Sequence, residues 1–114
     1  MTPFPELDAG AITPPNLALS NTGRMMFIKR IVCEEFGISG ADLHSDRRGK
    51  TFSFPRMAAY WLAREHTTLS FPQIGRSFGG RDHTTVLHGI HRVSELLRKD
   101  PDFKKHLQAV EARL

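Results

Sequence analysis

The sequence predicts an all-α domain of five or six helices that contains a helix-turn-helix. Three observations carry that expectation. Apolar residues recur at helical spacing in several separate segments, and no run alternates with a period of two over a useful length. Gly37 and Pro101 punctuate those segments, stopping one helix and breaking another. The pair Gly79-Gly80 divides a short capped segment from a longer amphipathic one, which is the layout of a helix-turn-helix.

The elements follow in order. Residues 1–22 carry Pro3, Pro5, Pro14 and Pro15, spaced so that no helix or strand can run through them, and they read as a flexible arm. The folded domain is expected over 23–114. Ser20, Asn21 and Thr22 offer capping oxygens to a first helix whose apolar face is Ile28, Ile31, Val32 and Phe36. Gly37 ends it. Asp42 and Leu43 sit in a turn about one helical turn long. The stretch Asp46-Arg47-Arg48-Gly49-Lys50-Thr51 reads as a basic loop. Pro55 suits the first turn of the next helix, which runs through Met57, Ala58, Trp61, Leu62 and Glu65 and ends near Thr67. Ser70 and Gln73 form a capping box for a short helix. Asp82 is a natural N-cap for the helix after the glycine pair, with Val86, Ile90, Val93 and Leu97 on one face. Pro101 breaks that helix, and a last one turns Phe103, Leu107 and Val110 inward.

Charge distribution narrows the function classes. All 16 Lys and Arg lie at Arg24 or later, whereas two of the 12 acidic residues, Glu6 and Asp8, precede it; residues 24–114 thus hold 16 basic against 10 acidic side chains. A basic domain behind a slightly acidic arm fits a nucleic-acid binder and fits a solvated basic surface equally well. The single cysteine, Cys33, rules out an internal disulfide and a cysteine-cluster zinc site; its apolar neighbours suggest a small buried side chain. No stretch approaches the roughly 18–20 apolar residues of a membrane span. The first residues lack the basic and apolar regions of a signal peptide, so the simplest location is the cytoplasm.

The helix-turn-helix is the motif that carries chemistry. In such motifs the first residues of the second helix meet base edges, and here those are Asp82, His83, Thr84 and Thr85, just after Arg81. Asp can accept from the cytosine amino group. Thr offers a hydroxyl and a methyl that packs on thymine. His can hydrogen-bond or pack, and Arg can grip guanine or phosphate. A cap followed by a polar helix start would look the same on spacing alone. Arg47, Arg48 and Lys50, with Arg56 just inside the next helix, can enter a narrow minor groove or clamp phosphates; the plainer alternative is a solvated loop. Gly49-Lys50-Thr51 resembles the end of a P-loop, but His44 stands where that motif needs glycine. His83, His88 and His91 lack the further ligands that zinc requires. No nucleophile triad or carboxylate pair is suggested. Neither catalysis nor a cofactor is therefore expected.

Taken together, these residues resemble the C-terminal DNA-binding domain of the bacterial replication initiator DnaA. The run Phe78-Gly79-Gly80-Arg81-Asp82-His83-Thr84-Thr85-Val86 looks like its signature. Ala41-Asp42-Leu43 followed by Ser45, Arg47 and Arg48 is similar to its short helix and basic loop. Pro55-Arg56, Ala59 and Leu62-Ala63-Arg64 match its third helix, and Phe71-Pro72-Gln73-Ile74-Gly75 its capped fourth. The likeness covers about residues 24–113.

That resemblance implies a Trp-repressor-like domain that recognises DnaA boxes in double-stranded DNA, in replication initiation or its regulation. On the family pattern Arg48 would enter the minor groove with Arg56 assisting. Arg64 would face the DNA, and Phe71 and Pro72 would lie against its backbone. Asp82, His83, Thr84 and Thr85 would read the major groove, with Arg81 alongside. Three departures stand out: Asp46 replaces a usual basic residue, Phe54 a common Arg, and Met57 a common Gln. Losing up to three phosphate contacts would flatten the salt dependence by about 0.9 units of slope per contact. DNA binding weaker than the initiator's, or altered at the minor-groove end, is the expectation. The ATPase module and P-loop that precede this domain in the initiator are not in the sequence, and the start at Met1 favours a free-standing relative over a trimmed one. The alternative is a protein-interaction module of the same fold that has lost specific DNA reading and binds the full-length initiator or another replication protein.

Overall fold

The computed structural model describes residues 20–114, and among them it contains six helices and no strand. They are α1 (Asn21–Phe36), α2 (Gly40–His44), α3 (Lys50–His66), α4 (Phe71–Ser77), α5 (His83–Lys99) and α6 (Pro101–Glu111). The all-α expectation is met. The proline-rich arm falls, for residues 1–19, outside the described residues; Asn21 and Thr22 already belong to α1.

Local chemistry sets most boundaries. The Ser20 side chain accepts from the Gly23 N–H at 3.1 Å and starts α1. Gly37, at φ 72°, ends it in the left-handed region and donates its N–H to the Cys33 carbonyl. Between these caps Met25, Ile28, Ile31 and Val32 are buried, one helical stripe worth roughly 1.5–3 kcal/mol of transfer free energy per side chain. Cys33 is only partly buried. Ser39 caps α2, which buries Leu43 completely. Asp100 caps α6 by accepting from the Phe103 N–H at 3.1 Å, and Pro101 occupies the first helical position, where its missing N–H costs nothing.

α3 departs from expectation. It begins at Lys50, five residues before Pro55, so Lys50 and Thr51 are helical and the basic loop shortens to Ser45–Gly49. Gly49 turns the chain into the helix at φ 96°. Pro55 sits in the second turn and forgoes the bond its N–H would have made to the Thr51 carbonyl. Tertiary contact offsets that loss: the added turn lays the Phe54 ring edge-on against Phe103 of α6, centroids 5.5 Å apart. It also puts Phe52 beneath the Arg47 guanidinium at 5.2 Å.

α3 is the spine. α1, α2, α5 and α6 pack around it, and α5 also carries α4. Ala58, Ala59, Tyr60, Leu62 and Ala63 of α3 are buried, as are Val86, Ile90, Val93 and Leu96 of α5, and the two helices pack on each other. Leu96, rather than Leu97, completes that face; Leu97 is only half-buried. At Gly89 a Cβ would stand 2.8 Å from a Tyr60 ring carbon and 3.2 Å from Met57 Cγ. The absent side chain therefore lets α5 press onto α3, and this sets where the head of α5 projects.

Candidate nucleic-acid interface

The surface centred on the head of α5 is built from the turn upward. Ser70 accepts from the Gln73 N–H at 3.3 Å, and the Gln73 side chain returns a bond from the Ser70 N–H at 2.8 Å, so the capping box expected for α4 is formed. After Phe78, Gly79 and Gly80 turn the chain at φ 83° and 85°, a region side chains rarely adopt. The chain then folds back so tightly that the Arg81 N–H donates to the Gly75 carbonyl at 2.9 Å. A Cβ on Gly75 would lie 2.0 Å from the Arg81 carbonyl oxygen. Glycine is therefore required at 75 for α4 and the start of α5 to meet at this angle.

Asp82, His83, Thr84 and Thr85 are all exposed at the head of α5. Asp82 occupies the N-cap position, yet its side chain caps no backbone N–H. Its Oδ2 accepts from the Thr84 hydroxyl at 2.8 Å and its Oδ1 faces His83 Nδ1 at 3.0 Å. The Thr84 hydroxyl, followed by the neighbouring His83, holds the Asp82 carboxyl below the usual carboxylate range. These side chains orient one another while remaining open to solvent.

The basic residues divide by location. Arg48 and Lys50 are exposed, with the Lys50 ammonium 6.0 Å from the Phe54 ring centroid. Arg47 is exposed and leans over Phe52. Arg64 is exposed but lies roughly 21 Å further along α3 than Lys50, at 1.5 Å per residue. Pro72 is exposed and Phe71 half-buried at the start of α4.

Arg56 and Arg81, by contrast, turn inward. Arg56 is 8% exposed. Its Nε donates to the Leu43 carbonyl at 2.9 Å and its Nη2 to Arg47 O at 3.2 Å and Asp42 O at 3.5 Å. Burial, with the nearby Arg81 charge, lowers its pKa. Arg81 Nη2 donates to Ser45 O at 2.6 Å, with His44 O at 3.4 Å and Asp46 Oδ1 at 3.5 Å. The geometry thus joins the α5 head to the Arg47–Arg48 loop through the protein's own carbonyls.

Sequence reasoning missed part of this surface. An open groove of about 480 Å³ between α3 and α5 is lined by Arg56, Arg81, Thr85, His88 and Arg92, with Tyr60 at its base. Thr85, His88 and Arg92 are spaced i, i+3, i+7, one stripe of α5, and that polar stripe was legible once Thr85 was placed at the surface. The Tyr60 hydroxyl is buried without a hydrogen-bond partner, and burial raises its pKa. Arg92 also pairs with Glu95 at 3.1 Å. Among the described residues no group of three or more His, Cys, Asp or Glu is placed to hold a metal, and no helix is long and apolar enough to cross a membrane.

Comparison with known proteins adds a family-level finding. The model of the bacterial DnaA protein helix-turn-helix matches residues 25–93. The chromosomal replication initiator protein DnaA of Treponema denticola is 47% identical over 78 residues, covering 68% of this chain and 17% of that protein. Its counterpart from Caulobacter sp. is 45% identical over 87 residues, 76% of this chain and 18% of that protein. That of Methylacidiphilum infernorum is 42% identical over 99 residues, 87% and 22% respectively. The chain spans about a fifth of the length of the curated relatives it matches.

Proposed function

This chain belongs to the bacterial DnaA helix-turn-helix family, and from that membership we propose that it binds double-stranded DNA at DnaA-box-like sites, in replication initiation or its regulation. The observation that carries the reading is the exposed run Asp82–Thr85 at the head of α5, presented by the Gly79-Gly80 turn beside an exposed basic loop. In this reading the N-terminal turn of α5 enters the major groove and contacts base edges through Asp82, His83, Thr84 and Thr85. Arg48 reaches the adjacent minor groove, and Arg47 and Lys50 neutralise phosphates near it. Arg64 and the Phe71-Pro72 start of α4 lie against the backbone further along. Arg92 and His88 extend the surface up α5. DNA recognition at this surface requires neither metal nor cofactor.

A second reading has one observation in its favour. Asp46, a fully exposed carboxylate beside Arg81, sits within the basic loop and would repel phosphate there. A module of this fold that has traded DNA reading for contact with the initiator or another replication protein would tolerate that charge. Fluorescence anisotropy with labelled DnaA-box and scrambled duplexes, at two salt concentrations, separates the two. Tighter binding to the box duplex, persisting at the higher salt, supports the first. Equal, weak and strongly salt-dependent binding to both removes it.

A further inference from the structure

The five backbone carbonyls that accept from Arg56 and Arg81 are those of Asp42, Leu43, His44, Ser45 and Arg47. They form one nearly continuous stretch, from the end of α2 into the loop that bears Arg47 and Arg48. The terminal carbonyls of a helix have no partner within it, and they sit at the negative end of its dipole. α2 has only five residues, too short to be stable by itself. Two guanidinium groups close its C-terminus from beneath. One comes from the α3 spine. The other comes from Arg81, whose own backbone N–H is bonded to Gly75 of α4. The loop is thereby fastened to the turn that presents α5.

We propose that Arg81 and Arg56 are positioning residues that hold the Arg48 loop in register with the head of α5, so that the two ends of the DNA-reading surface engage as one unit. This deepens the proposed function and rests on it. Without the fastening, a loop with Gly49 at positive φ would have to be ordered at the moment of binding, and that ordering reduces affinity. Arg81 suits the task because its Nη2, carried on a rigid planar group, reaches two successive carbonyls, those of Ser45 and His44; a flexible, strongly hydrated ammonium does not reproduce that fixed placement.

The test is a double-mutant cycle on the full chain, with Arg48→Ala and Arg81→Lys separately and together, read by anisotropy on a DnaA-box duplex across a salt series. In the wild-type background Arg48→Ala is expected to weaken binding roughly tenfold and to reduce the salt slope by about 1. In the Arg81→Lys background the same change costs no more than about twofold and leaves the slope unaltered, because the loop has already lost its register; residues coupled through a shared backbone shift are non-additive. A lysine that merely replaced a direct phosphate contact would retain most of the binding, and a merely destabilised fold would leave the Arg48 loss at full size in both backgrounds. Equal fold-losses in the two backgrounds overturn the proposal.

Circular dichroism confirms that each variant is fully helical at the working temperature. If Arg81→Lys unfolds there, Arg56→Lys, which disturbs the other set of carbonyl bonds, takes its place in the cycle. Unfolding of both also overturns the proposal, since the arginines would then hold the fold rather than the loop. If the wild-type chain fails to distinguish box from scrambled duplex, the proposed function fails instead, and that control is read before the cycle begins.

Discussion

His83 and Thr84 stand outside the core, so truncating either opens no cavity in it. Thr84 also donates to Asp82, and its loss leaves that carboxylate less oriented. On the proposed reading, His83→Ala or Thr84→Ala weakens binding to a DnaA-box duplex by about 1–3 kcal/mol and barely affects a scrambled one. Anisotropy on both duplexes checks this, and equal losses would remove the two residues from base reading. A second residue-scale prediction concerns pH. Arg113 bonds Glu34 and Glu35, tying the end of the chain to α1, and Arg30 adds to Glu34. Hydrogen bonding first from Arg113 and then from Arg30 lowers the Glu34 pKa. A carboxyl depressed in the folded state contributes stability that is complete above its unfolded pKa, about 4.3, and is lost as pH falls through the lower folded value. Thermal unfolding of Glu34→Gln is therefore expected at a lower temperature than wild type near neutrality, with the gap closing in acid. A gap independent of pH would assign the difference to packing.

At the scale of elements, the glycines of the turn are distinguished by why each is needed. A methyl at Gly75 meets the Arg81 carbonyl at 2.0 Å, and backbone rather than a flexible side chain must give way. A methyl at Gly79 meets nothing within 4 Å; only its positive φ resists substitution. Gly79→Ala should therefore cost about 1–2 kcal/mol, and Gly75→Ala should cost more, in or above the range of about 1–3 kcal/mol for overpacking. Urea unfolding of the two variants gives the order, and a milder effect at Gly75 would show that the α4–α5 angle is soft. The element that sequence periodicity misjudged was α3. Proline at a first helical turn is a sound local expectation for Pro55, and it yielded to the Phe54–Phe103 contact across 49 residues of chain.

Across the whole molecule, one face carries two patches of different chemistry: polar, mutually bonded side chains at the head of α5, and exposed cations on a short loop. A positive surface meets DNA through counterion release, so each phosphate neutralised steepens the salt dependence by about 0.9. Asp46 opposes that at the loop while standing 3.5 Å from Arg81. Asp46→Lys is expected to tighten binding at low salt and steepen the slope by roughly 0.9. The same salt series measures it, and an unchanged slope would place position 46 away from phosphate.

The sequence by itself determined the helical class, the caps at Ser70 and Gly37, the glycine turn and the exposed Asp82–Thr85 head, because each follows from neighbours within about one turn of chain. It also carried the family likeness that the comparison then showed. Only the tertiary structure decided where α3 begins and where two arginines point. Arg56 and Arg81 read as outward cations in the sequence, since a guanidinium near a basic loop has no local reason to turn inward. The carbonyls that claim them lie nine to fourteen positions away for Arg56 and 36 to 37 for Arg81. The carbonyls at the end of α2 come within reach of these guanidinium groups only once α2 is packed beside α3 and the turn, and periodicity cannot report a partner that folding creates.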